Sequence, residues 1–143
     1  YADGLVRALD QASPNAKFDL IGALGRTQLR DKWNVIAPYL RDDLPELRAA
    51  AAAALGDLGA AEASEALVSQ AAAETDGRVK IRIAGAAKTL FVKGAIDPLL
   101  RWLRDDSEVV RTESSAALET LTGQKFGLDT AKWDAWWADN RPK

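Results

Sequence analysis

The sequence predicts an all-α fold, an α-solenoid of four helical hairpins followed by a C-terminal capping helix. Three observations predict it. Apolar and charged sites recur every 31 or 32 residues, the period of stacked helical hairpins. Alanine-rich stretches such as Ala49–Ala54 favour helix over strand. Behind the last repeat, Trp133, Trp136 and Trp137 stand at i, i+3 and i+4, so their rings share one face of a further helix.

The register is set by Leu47-Arg48, whose equivalents are Ala16-Lys17, Val79-Lys80 and Val110-Arg111. Eleven residues before this origin come Leu5, Ile36, Val68 and Leu99; seven before it, Leu9, Leu40, Ala72 and Leu103. Eight after it come Leu24, Leu55, Ala87 and Leu118. Eleven after it, Leu58, Leu90 and Leu121 recur, with Thr27 in the first repeat. Apolar sites four apart fall on one helical face. A single domain over residues 1–143 follows, with repeats near 1–27, 28–59, 60–92 and 93–122 and a cap over 123–143.

Taken in order, the first hairpin is read as Ala2–Gln11 and Pro14–Gly25. The second is Asp31–Leu40 and Pro45–Leu58, with Pro45 where a first helical turn tolerates it. The third is Ala61–Glu74 and Arg78–Phe91. The fourth is Ala95–Arg104 and Ser107–Leu121, Ser107 serving as N-cap. Pro38 and Pro98 should kink or shorten their helices. Gly123 and Gly127 then break the chain before Asp129, which is placed to cap the last helix, with Leu128 and Trp133 spaced as a hydrophobic staple.

The strings DDLPELRAAAAAALGDLG (residues 42–59) and DDSEVVRTESSAALETLTG (105–123) carry an Asp, a Val/Leu-Arg pair and a small-residue run ending in Leu-Gly or its echo. This pattern resembles HEAT repeats, particularly the short bacterial kind, over nearly the whole chain. The third repeat departs from it with Glu74, Lys80 and Ala87. The tail string LTGQKFGLD…W..WW is similar to the closing segment of bacterial HEAT-repeat proteins. The resemblance implies a right-handed superhelix that binds other proteins.

Composition narrows the function classes. The formal charge is −2 and there is no His, Cys or Met. Disulfides, thiolate chemistry, zinc sites and His-based triads are thereby excluded. No apolar run approaches the roughly 20 residues of a membrane-spanning helix, so a soluble protein is expected, cytoplasmic or exported after loss of a signal. No metal, cofactor or catalytic residue is assigned. The Tyr1 start, and a first helix bearing Leu5, Val6, Ala8 and Leu9 with little polar disguise, are expected of the C-terminal part of a longer chain.

One residue past the origin stand Lys17, Arg48, Lys80 and Arg111; five before it stand Gln11, Asp42, Glu74 and Asp105. Cations and acceptors in matching register are expected to tie repeat to repeat, although a row of cations alone would suit phosphate. The three tail Trp are expected to form a lid over the last hairpin, since terminal repeats need a different outer surface; the competing reading is an aromatic hot spot.

Function is expected on the second helices, which line the concave face of such arrays. Their outward row reads Phe18, Ala49, Ile81 and Thr112, with Arg82 and Lys88 nearby. These six are the candidate partner-binding residues. Phe18 and Ile81 either line a groove or fill gaps between helices. The expected function is a non-catalytic protein-interaction scaffold. The alternatives are an enzyme-associated module, since HEAT-like repeats occur in phycobilin lyases, and nucleic-acid binding as in HEAT-like DNA glycosylases. A His/Glu-ligated iron hydroxylase is excluded by the missing His, and the outward rows form no basic stripe for nucleic acid.

Overall fold

Side-chain caps start three of the second helices and a proline the other. In α2 (Pro14–Gly25) Ser13 Oγ accepts from the Ala16 amide, and Pro14 occupies the first turn. The next, α4 (Pro45–Leu58), opens on Pro45. Asp76 caps α6 (Gly77–Leu90), accepting from Arg78 N–H, so an Asp-Gly pair that often makes hairpin turns here starts a helix. Ser107 caps α8 (Glu108–Thr122) through the Val110 amide. Left-handed residues follow three of these helices: Gly59, Phe91 and Gly123, at φ 68°, 57° and 77°. Glycine takes that conformation freely; Phe91 does not, and it holds its ring exposed beneath the Lys93 ammonium.

Three of the four first helices are shorter than their sequences predict. The computed structural model describes residues 2–142. In it α1 (Ala2–Gln11) is continuous, but α3 (Trp33–Ile36), α5 (Ser64–Ala73) and α7 (Ile96–Trp102) each begin only after a 3-10 turn. Those turns, Arg30–Lys32, Ala61–Ala63 and Lys93–Ala95, recur at the repeat period. The second hairpin departs most: α3 is one turn long, and Ala37–Arg41 continues as 3-10 helix. Pro38 explains it, because its ring lacks an N–H and crowds the preceding turn. Pro98 is harmless as the third residue of α7, where the amide would have no intrahelical partner.

The register of one repeat is corrected, in two of its rows. The structure buries Leu67 and Ala71 and leaves Ala72 exposed, whereas the sequence places Val68 and Ala72 inside. The third repeat carries one extra residue between its buried α5 site and Val79, so all of α5 is displaced by one position. Everywhere else Leu9, Leu40 and Leu103 occupy the matching buried place.

The result is an all-α solenoid in which α2, α4, α6 and α8 pack in sequence and each hairpin meets mainly its neighbours. Leu24, Leu55, Ala87 and Leu118 are buried along that row. The seam is filled by small side chains, including Ala51, Ala52, Ala54, Ala84 and Ala86, which lets the helices approach closely. A Cβ on Gly25 would lie 2.9 Å from Ala54 Cα and Cβ, whereas one on Gly56 would stand 3.5 Å from Ala86 Cα. Gly25→Ala is therefore expected to cost about 1–3 kcal/mol, and Gly56→Ala to gain about 0.5–1 kcal/mol by restricting the unfolded chain. Urea unfolding measures both; equal effects would remove the close-approach argument.

The last helix, α9 (Thr130–Asn140), is capped by Asp129 through the Lys132 amide. It runs back along α7: Asp134 meets Arg104, while Trp137 and Arg141 both meet Asp97.

Candidate functional site

Three surfaces carry the residues singled out from the sequence. Along the edge where first helices turn into second helices, Arg48 Nε and Nη2 donate to both oxygens of Glu74 at 2.9 and 3.0 Å. Its Nη1 donates to the carbonyls of Asp42 and Asp43. Glu74, with a fully buried side chain, also accepts from Gln70 and from the amides of Thr75 and Asp76. One repeat on, Lys80 donates to Asp105 at 2.6 Å, and Asp105 accepts from the Ser107 amide.

The remaining residues of these rows do not pair the same way. Lys17 stands over the Tyr39 ring, 5.5 Å from its centre, while Asp42 turns its carboxylate to the Leu44 amide. Gln11 is exposed. Arg111 repeats the loop contacts of Arg48, donating to the Asp105 and Asp106 carbonyls. Two rungs thus join neighbouring repeats, at the second-to-third and third-to-fourth steps.

Burial by itself would raise the Glu74 carboxyl, but the hydrogen bonds from Arg48, Gln70 and the Asp76 amide hold it below the ordinary glutamate value. Burial likewise works against Asp105, and Lys80, the Ser107 amide and the Arg111 charge hold it low. Both groups bind protons more weakly folded than unfolded. Their stabilisation is complete above the unfolded carboxylate values near pH 4 and is lost as pH falls through the lower folded values. Melting temperature is expected to drop in acid. Glu74→Gln and Asp105→Asn should each flatten that drop, and an unchanged acid slope in both would contradict this.

The second surface lies on the row of second helices. A cleft of about 480 Å³ is lined by Phe18, Arg26, Ala49, Ala53, Asp57 and Arg82, among others. A second of about 360 Å³ continues over Ala53, Asp57, Ile81, Arg82, Lys88 and Glu113. The two share Ala53, Asp57 and Arg82. Of the six sequence candidates, five line this pair of clefts; Thr112 is exposed beyond them. Phe18 stays 49% exposed, while Ile81 is half-buried, packed against the core where it lines the second cleft. Arg26, Arg82 and Lys88 have no described ion-pair partner. Arg78 and Glu46 also line the first cleft, joined at 3.1 Å. The sequence reading passed over them, although the row one before the origin (Asn15, Glu46, Arg78, Val109) displays them in register.

The third surface is the tail. Trp133 is fully buried, its Nε1 donating to the Gly127 carbonyl and its ring edge-on to Phe126 at 5.0 Å. The staple expected from Leu128 is not its main neighbour; Leu128 remains 52% exposed. Trp137 donates to Asp97, is buried, and stacks with half-buried Trp136. Arg141 closes the group over Trp137 and onto Asp97.

Among the described residues no group of three or more acidic side chains is arranged to hold a metal ion. No helix there is long and apolar enough to cross a membrane. No curated protein matches the chain. A family model described as HEAT repeats matches residues 2–88, from the start of α1 into α6, where the hairpin register, the small-residue seam and the first rung all lie. With well over half its length matched in this way, the chain belongs to the HEAT-repeat family.

Proposed function

We propose that this chain is a non-catalytic scaffold that holds a protein segment in the clefts along α2, α4 and α6. HEAT repeats are commonly protein-interaction scaffolds. The observation that carries the reading here is the continuity of the two clefts beside an exposed Phe18, with Arg26, Arg82 and Lys88 free to meet polar groups of a ligand. An aromatic anchor beside uncommitted arginines is the composition of a binding hot spot. The carboxylates held below their ordinary values are, by contrast, spent on the rungs or on surface pairs, which supplies no poised acid or base.

Photo-crosslinking from position 18 and from position 69, which is exposed on α5, tests this. Position 18 should capture a protein that position 69 does not. Phe18→Ala and Arg82→Glu should each weaken binding of that protein about tenfold or more while the melting temperature stays within a few degrees. Capture confined to position 69, or binding untouched by both variants, would reject the reading.

A further inference from the structure

We propose that Arg111 is a carboxylate-binding site at the C-terminal edge of the array, which takes an Asp or Glu side chain from a docking protein. The inference rests on two copies of one guanidinium arrangement. Arg48 turns Nη1 onto the carbonyls of Asp42 and Asp43, at 2.8 and 3.2 Å, and this anchor aims Nε and Nη2 at the Glu74 carboxylate. Arg111 is anchored alike, with Nη1 on the carbonyls of Asp105 and Asp106 at 2.7 and 3.1 Å. Its Nε and Nη2 make no hydrogen bond to any described residue.

The chain supplies no acceptor at the matching distance. In the filled rungs the carboxylate comes 26 or 25 residues after the cation. After Arg111 those places hold Trp137 and Trp136, which pack against each other, with Trp137 bonded to Asp97. Two carboxylates near the starts of α8 and α9 are bonded to other groups: Asp105 serves Lys80 and the Ser107 amide, and Asp129 caps α9. Ser115, one turn beyond Arg111, bonds the Gly127 carbonyl, so the tail passes close by and could deliver Asp129 only by giving up its cap.

The chemistry favours a carboxylate. Two parallel N–H donors fit its planar pair of oxygens, and a guanidinium already fixed by two carbonyls loses little freedom on binding. The Asp105 carboxylate, whose charge reaches Arg111, repels a dianionic phosphate more strongly than a singly charged carboxylate.

The test is arginine Nε–H NMR on the full chain, titrated with sodium acetate against sodium chloride at equal ionic strength. The Arg111 resonance should move downfield saturably, while Arg48, already bonded to Glu74, should not respond. A capped glutamyl peptide should saturate Arg111 at lower concentration than acetate or succinate, and inorganic phosphate should move it less. Arg111 responding no more than exposed Arg41 would overturn the site, and phosphate or succinate binding more tightly than the peptide would overturn the ligand. An Arg111 signal already downfield without acetate, and returning upfield in Asp129→Asn, would assign the site to the chain's own tail. No residue of the α2–α4–α6 clefts is involved, so the two proposals fail separately.

Discussion

Glu74→Ala is expected to destabilise the protein by about 3–5 kcal/mol, the largest effect of any charged residue in the chain. The carboxylate is fully buried and the Arg48 side chain only 15% exposed. Its removal leaves a guanidinium without its counter-charge, and Gln70 and two backbone amides without their acceptor. Breaking a buried pair from one side costs far more than the pair is worth, because the orphaned charge remains desolvated. The double variant Arg48→Met/Glu74→Ala should therefore be less destabilised than Glu74→Ala alone. Chemical denaturation of the two variants decides this. Exposed pairs provide the contrast: Arg30–Glu62 and Arg104–Asp134 lie on the surface, and breaking either should cost less than about 1 kcal/mol.

Trp133→Ala should cost a similar amount, about 3–5 kcal/mol, but in a different place. Trp133 fills the space between α9 and the last hairpin and ties Gly127 to the ring nitrogen. Neighbour-only packing confines the damage. Hydrogen exchange should show α9 and α8 losing protection while α4 and α6 keep theirs. Loss of protection spread evenly over all hairpins would mean that the array unfolds as one unit. Trp136→Ala, at a half-buried ring, should be markedly milder.

Much of the architecture was legible because each buried site occurs in several copies. The second helices could be placed from Pro45, Ser107 and the rows of Leu and Ala, since helix starts and apolar period speak locally. The first helices were less legible. Their 3-10 openings carry no shared residue type, only the shared conformation imposed by the preceding turn. The displaced register of α5 was hidden because Ala71 and Ala72 are chemically identical, and only packing separates them. At the candidate site, Arg82 and Lys88 could be read from their outward register. The pairing of Arg78 with Glu46 depends on how far two neighbouring helices stand apart, which no single segment encodes. Lys17 shows the same limit: its row predicts a carboxylate, and a nearby Tyr39 ring receives it instead.

The two rungs also imply how the array can move. They stitch one margin of the molecule, where charged groups hold successive turns at fixed spacing. The opposite margin, through the turns after α2, α4 and α6, is tied among the described residues by more exposed ion pairs, Lys32–Asp3, Arg30–Glu62 and Arg141–Asp97, which solvent weakens. A body inextensible along one side and compliant along the other flexes like a hinge-bound book. Its softest motion should fan the pages of the loose side, opening or narrowing the space between second helices without breaking a single rung.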